Sequence, residues 1–313
     1  MQKKAAIFPG QGSQLSGMGA DLIDASKRAK DVYAQANEIV GFDLEALCFS
    51  GTPEQLEATN IQQPAILVTS IALLEALGEN VDVRAMLPAA AGLSLGEYTA
   101  LYHAGCLGFE DVVRLVHRRG ELMQAAADAA DSGMVSLIGV DEAQAKAICE
   151  EAAQGAVLSP ANLNCPGQIV ISGDQAACDR SVDVASEKGF RAVPLKVAGA
   201  FHSPLMQSAA DGLAEVLANI EIKAPVMPVL SNVTGDFHEG PESIRKLLVD
   251  QVTQPVRWQD CVEKLIASGF GEFVEIGPNR VLKGLVRKID KSARTTSIGT
   301  IEDIKEQNLA SIS

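Results

Sequence analysis

The chain has 313 residues, 47% hydrophobic and 21% charged, enough for a sizeable core in about two units or one large domain with an insertion. That balance excludes a disordered tail, a fibre and a small disulfide scaffold. With 26 Lys and Arg against 40 Asp and Glu, the net charge of −14 repels nucleic acid and anionic membrane surfaces, leaving only a local basic patch for an anionic ligand.

The N-terminal stretch MQKKAAIFPGQGSQ holds too few apolar residues before Pro9 for a signal peptide. Ala5–Phe8 reads as a buried strand running into the Pro9-Gly10 loop. Helical patterns follow over 16–40, 43–49 and 64–77, the last with Pro64 in its first turn. Thr69, Ser70 and Glu75 interrupt that segment, which falls short of the ~20 apolar residues a membrane span needs. A cytoplasmic protein without membrane partners is expected. Leu87–Leu93 is small and apolar and stops at Ser94, and Gly96–His103 is helical. An amphipathic helix covers 110–127, with Val112, Val113, Val116 and Met123 on one side and Arg114, His117, Arg118 and Arg119 on the other.

The rhythm then changes. Strands at Met134–Gly139, Val157–Asn162, Gln168–Ser172 and Phe190–Val197 alternate with helices at 141–153 and 175–188. This is the β-α-β-β-α-β order of a ferredoxin-like unit, so 129–197 is expected as a small inserted subdomain, with 1–128 and 198–313 forming the larger α/β part. There, helices are predicted at Leu205–Ile220, Ile244–Gln251 and Trp258–Ser268, and strands at Val226–Ser231 and Glu272–Ile276. The tail after Arg294 is polar and carries few signals. Six scattered cysteines form no CxxC pair and no Cys/His cluster, so they read as reduced and buried, and no metal site or cofactor is expected.

Gly92-Leu93-Ser94-Leu95-Gly96 is a GxSxG pattern. A nucleophilic serine presented on a sharp strand-to-helix turn needs small neighbours, and the Leu95 amide would then face the oxyanion of a tetrahedral intermediate. A plain Gly-rich turn gives the same letters. A serine nucleophile needs a base, and the chain has four histidines. His117 lies among arginines that oppose its protonation, His238 in a polar turn and His103 at a helix end. His202, in Phe201-His202-Ser203-Pro204 just before a helix, is the best placed.

Several segments together resemble one family, the malonyl-CoA:acyl-carrier-protein transacylases of bacterial type II fatty-acid synthesis. They are Phe8–Gln14, Gln63-Pro64-Ala65, Gly92–Tyr98, Arg119-Gly120, Asn162–Gly167, Gly199–Ser203, Gln254–Trp258 and Glu275–Pro278, in the family's order over nearly the whole chain. The resemblance implies an α/β-hydrolase-like large subdomain carrying a ferredoxin-like insertion. It implies Ser94 as nucleophile, His202 as base and the backbone amides of Gln11 and Leu95 as oxyanion hole. It further implies Arg119 as the ligand of the malonyl carboxylate and the Gln251 carbonyl as the group orienting the histidine. Gln63, Met123, Phe201, Asn162 and Asn164 fall at or near the family's acyl pocket. Malonyl-CoA and acyl carrier protein are the implied partners, and the family tends to act as monomers. Leu93 departs from the histidine often found before the nucleophile, which bears on fine specificity.

Both partners are anionic, so an acidic enzyme must show them a cationic face. Arg280, Lys283, Arg287 and Lys288, at roughly helical spacing, offer one. Three rival readings fit the serine and histidine: a serine esterase or thioesterase, a non-catalytic binding module that kept the cleft, and a transacylase of a polyketide-type pathway.

Overall fold

The computed structural model describes residues 3–312. The first third holds β1 (Lys3–Phe8), α1 (Lys27–Val40), α2 (Leu44–Ser50), α3 (Thr59–Leu77), α4 (Val83–Met86), β2 (Ala90–Gly92), α5 (Gly96–His103) and α6 (Phe109–Asp128). The middle holds β3 (Ser132–Ile138), α7 (Glu142–Ala153), β4 (Leu158–Cys165), β5 (Gln168–Asp174), α8 (Gln175–Glu187) and β6 (Arg191–Pro194). After a 3-10 turn at Pro204–Met206 come α9 (Gln207–Leu217), α10 (Pro241–Thr253), α11 (Trp258–Ala267), β7 (Phe270–Ile276), α12 (Val281–Ile289), β8 (Arg294–Ile298) and α13 (Ile301–Ile312).

The fold is mixed α/β with two sheets. One is parallel, in the order β2-β1-β7-β8. Side chains alternate across a strand, so Ala6 and Phe8 of β1 join the apolar cluster on one face and Ala5 and Ile7 that on the other. Helices cover both faces, as a parallel sheet requires. α3 is apolar on every side and almost wholly buried, which suits a helix lying inside the core between α1 and α6. The second sheet is antiparallel, in the order β4-β5-β3-β6, with its own cluster around Leu137, Ile148 and Ile171. It is tied to the rest of the chain at β4: Leu163 N donates to Val256 O at 2.9 Å and Val256 N to Ala161 O at 2.8 Å. That seam brings Asn162 and Asn164 to the parallel sheet's side of the molecule.

Several expectations fail, among them Pro64 in a first turn, since α3 already begins at Thr59 and holds Pro64 in its interior. The helix expected over 16–40 begins only at Lys27, capped by Ser26, whose side chain accepts from Ala29 N. Ahead of it Gly17 and Gly19 take φ of 87° and 80°, and a side chain at Gly19 would collide with the Tyr33 hydroxyl. Val226–Ser231 makes only isolated bridges, Ala90 with Val229 and Leu230 with Phe237. Pro228 inside the segment lacks the N–H of a ladder donor, and Pro225 stands just ahead of it. The polar tail instead forms β8, paired in parallel with β7 from Glu272–Arg294 to Ile276–Ile298, followed by α13.

Candidate active site

Ser94 stands between β2 and α5 with φ of 53°, in the left-handed region that L side chains rarely occupy. The glycines make this turn possible. A Cβ on Gly92 would lie 1.9 Å from the Gly96 carbonyl carbon, and one on Gly96 would lie 2.1 Å from Phe8 O. Asn232 braces the turn from outside it. Its Oδ1 accepts from Ser94 N at 2.6 Å and its Nδ2 donates to Gly92 O at 2.7 Å. The Pro9–Gln11 loop presses on the same turn, since a Cβ on Gly10 would meet Leu93 O at 2.3 Å. The amides of Gln11 and Leu95 donate no hydrogen bond among the described residues.

His202 also has a positive φ, 58°, at the turn before the 3-10 segment, where Ser203 Oγ donates to Ala200 O at 2.7 Å. Its Nε2 lies 2.8 Å from Ser94 Oγ and its Nδ1 2.7 Å from Gln251 O. A carbonyl only accepts, so Nδ1 carries the proton and Nε2 is left to accept from the serine. Burial pushes the imidazole down to about 4, and the Arg119 charge acts in the same direction against the Gln251 carbonyl. The ring is therefore a neutral base at physiological pH.

Arg119 lies on α6 and is 1% exposed. The next residue, Gly120, lets α6 approach the first turn of α3; a Cβ there would stand 2.9 Å from both Asn60 Cα and Thr59 O. The guanidinium donates to Gln63 Oε1 at 2.7 Å, to Gln251 Oε1 at 2.9 Å and to Ser94 Oγ at 3.2 Å. Its carbon is 5.2 Å from the centre of the Tyr98 ring, and its Nε has no partner among the described residues. Burial pushes its pKa down, with Tyr98 and Glu97 acting upward.

A cleft of about 690 Å³ opens over Ser94 and His202. Gln11, Leu93, Asn162, Asn164 and Phe201 line it, and its charged wall residues, Lys196 and Glu57, pair with each other at 2.7 Å. Gln63 and Met123, expected in the acyl pocket, are not among its lining residues. Like Arg119, which is not a lining residue either, they are buried: Gln63 Oε1 accepts from the guanidinium and Gln63 Nε2 lies 3.5 Å from Met123 Sδ. Leu95 and Gln251 are likewise fully buried behind the surface. His103 is held by Leu87 O at 3.1 Å. His238 does not sit in solvent as its polar turn suggests: it is buried against Glu97, its Nε2 2.8 Å from Oε1. The sequence reading missed Glu97 and Asn232 altogether. Glu97 directly follows the GxSxG pattern, but only folding shows its carboxylate to be buried. Among the described residues no cluster of His, Cys, Asp or Glu is arranged to hold a metal, all six cysteines are free and buried, and no helix is long and apolar enough to cross a membrane.

The chain matches the acyl transferase domain over residues 6–311. It is 42% identical over 317 residues to the malonyl CoA-acyl carrier protein transacylase of Bacillus subtilis (strain 168), covering 98% of this chain and 99% of that one. The crystal structure of malonyl-CoA:acyl carrier protein transacylase from Xanthomonas oryzae pv. oryzae superposes with a TM-score of 0.94 at 41% identity, over 99% of this chain and 98% of that one. A type II PKS acyl-carrier protein in complex with its malonyl-transacylase gives 0.93 at 39% identity, over 98% and 99%.

Proposed function

The chain belongs to the acyl transferase family, and from that membership and the groups meeting at Ser94 we infer that it moves malonyl from malonyl-CoA to the phosphopantetheine thiol of acyl carrier protein, in fatty-acid synthesis. Ser94 Oγ attacks the thioester carbonyl while His202 Nε2 takes its proton. The oxyanion accepts from the amides of Gln11 and Leu95, which have no other acceptor among the described residues. The tetrahedral intermediate expels coenzyme A, whose thiolate takes the proton back from His202, and malonyl-serine remains. The carrier thiol then gives its proton to His202 and attacks the ester, and Ser94 leaves as the restored hydroxyl. Overall one thioester is exchanged for another through the serine ester, so no outside energy source is needed.

Arg119 accounts for the acyl group. A planar guanidinium fits a carboxylate with two parallel hydrogen bonds, and every present acceptor of Arg119 is neutral. Asn162 and Phe201, on the cleft wall, flank the acyl chain, while Gln63 and Met123 support the guanidinium from behind. The Gln251 carbonyl orients His202 in the place where many hydrolases use a carboxylate.

The single observation carrying this reading is that an imidazole and a guanidinium both reach the Ser94 hydroxyl, within 2.8 and 3.2 Å. Intact-mass analysis tests it. Malonyl-CoA is expected to add one malonyl group to the protein, acetyl-CoA far less, and Ser94→Ala to abolish the adduct. Malonyl-CoA cleavage that is fast without carrier protein, leaving no adduct, would instead mark a thioesterase. A polyketide carrier is a second reading, favoured by the matched complex with a type II PKS carrier protein; transfer rates to carriers of both kinds separate the two.

The architecture supports an α/β-hydrolase-like subdomain over 1–128 and 198–313, since Ser94 follows a strand of a parallel sheet at its turn into a helix. It supports a ferredoxin-like insertion over 129–197, since β4-β5-β3-β6 is that fold's strand order. Monomeric action in the cytoplasm comes with the family resemblance, and sedimentation checks the first.

A further inference from the structure

Glu97 has no part in the steps above, yet it is completely buried. One carboxylate oxygen accepts from His238 Nε2 at 2.8 Å. The other accepts from Asn232 N at 3.0 Å and from Gln251 Nε2 at 2.7 Å. Two of these contacts lead straight to the reacting groups. Asn232 Oδ1 holds Ser94 N. Gln251 meets Arg119 through Oε1, and its main-chain carbonyl meets His202.

The amide of Gln251 has one end that donates and one that accepts. Arg119 can only donate, and an ionised carboxylate can only accept. With Arg119 on one side and Glu97 on the other, the amide has a single orientation that satisfies both. Turned over, it would set its NH2 against the guanidinium and its oxygen against the carboxylate, and both bonds would be lost. The bridge also links a buried cation to a buried anion without direct contact between them, leaving the guanidinium free to take a substrate carboxylate.

We propose that Glu97 is a positioning residue for acyl-group selection: its carboxylate fixes the Gln251 amide, and that amide holds the Arg119 guanidinium beside Ser94 where a carboxylated acyl group is met. This rests on the malonyltransferase reading of the site and extends it to a residue that touches no reacting atom.

The test is steady-state kinetics with malonyl-CoA and acetyl-CoA. Glu97→Gln keeps the volume and one carbonyl oxygen for Asn232 N, but it adds a donor and takes the charged acceptor from Gln251 Nε2, leaving Ser94 O at 3.1 Å as the remaining acceptor that holds the amide. The KM for malonyl-CoA is expected to rise roughly tenfold or more, with a similar loss of malonyl-over-acetyl preference, the size of one charged hydrogen bond; acetyl transfer should change much less. Gln251→Met removes both amide ends, keeps the main-chain carbonyl and should lose the same preference. The double variant should be no less selective than either single one, because both act through one link. Equal losses for both acyl groups in Glu97→Gln, or losses that multiply in the double variant, would overturn the proposal. Should Glu97→Gln fail to fold, Gln251→Met decides, and a malonyl preference retained there overturns it. The parent protein is the control: no malonyl preference in it would sink the malonyltransferase reading itself, whereas a preference that survives in the variants sinks only the role of Glu97.

Discussion

Arg119 is buried with three neutral acceptors and an Nε that finds no partner among the described residues, an unfavourable state that the proposed substrate carboxylate would relieve. Arg119→Ala should therefore slow malonyl transfer far more than acetyl transfer, by about tenfold to a hundredfold for a charged hydrogen bond of roughly 1.5–3 kcal/mol. Equal losses for the two acyl groups would refute the role. The same substitution has a second signature. Burial and the Arg119 charge together hold His202 down at about 4, below its ordinary value near 6.5. The neutral base persists as the solution is acidified, and the acid limb of the wild-type rate profile should lie near that low value. Without Arg119 one downward influence is gone, the imidazole pKa rises, and the acid limb of acetyl transfer should move to higher pH. An unmoved limb would count against the charge effect. Stability follows the sign of the shift: between about 6.5 and about 4 the unfolded chain binds the His202 proton more readily than the folded one. This contribution to stability is full above about 6.5 and is lost as pH falls toward 4.

At the scale of elements, the strand-to-helix turn stands or falls with its glycines. Gly96→Ala would drive a methyl into Phe8 O of the neighbouring strand, an overpacking that costs about 1–3 kcal/mol. The variant is expected to melt at lower temperature and to lose Ser94 acylation by malonyl-CoA, as read by mass; an acylation rate like that of the parent would show the turn to be tolerant. Much of this element was legible, because Gly92, Ser94 and Gly96 are local in sequence and the apolar strand and following helix announce the turn. His202 and Arg119 were found by residue type and by family resemblance, not by any local pattern that places them beside Ser94. What the sequence hid was non-local. β8 is polar and becomes a strand only because β7 offers it a parallel edge. Pro228 interrupts a segment whose apolar residues alone suggest a strand. Glu97, Asn232 and His238 look like ordinary polar residues until three separate parts of the chain close around one carboxylate. Gln63 and Met123, expected at or near the acyl pocket, are buried beside Arg119 instead of lining the cleft, a matter of depth that sequence order does not carry.

At the scale of the whole molecule, a net charge of −14 sets the problem of how acidic partners approach. A cationic face on α12 would answer it. Glu275, at the end of β7, accepts from the amides of Leu282 and Lys283 at 2.7 and 3.2 Å, fixing the start of the helix beside the sheet. Val281 and Leu285 of its first turns line the cleft. Lys283 and Arg287 are exposed on the same helix, and neither pairs with a carboxylate among the described residues; Arg280, by contrast, is engaged by Asp303 at 3.2 Å. Lys283 and Arg287 lie about 200° round the helix from Val281 and Leu285, so they would attract an acidic carrier to the outer face of α12 rather than line the opening. Reversing both, Lys283→Glu with Arg287→Glu, should raise the KM for acyl carrier protein by about three- to tenfold at low ionic strength, and the difference should shrink as salt shortens the screening length to a few ångströms. Coenzyme A is also anionic, so the two half-reactions must be read separately. Malonylation of Ser94 by malonyl-CoA, followed by mass without carrier protein, should keep its rate if the helix serves the carrier. A parallel loss in that step would move the cationic face to coenzyme A, and an unchanged KM for both substrates would leave α12 a solvated helix with no docking role.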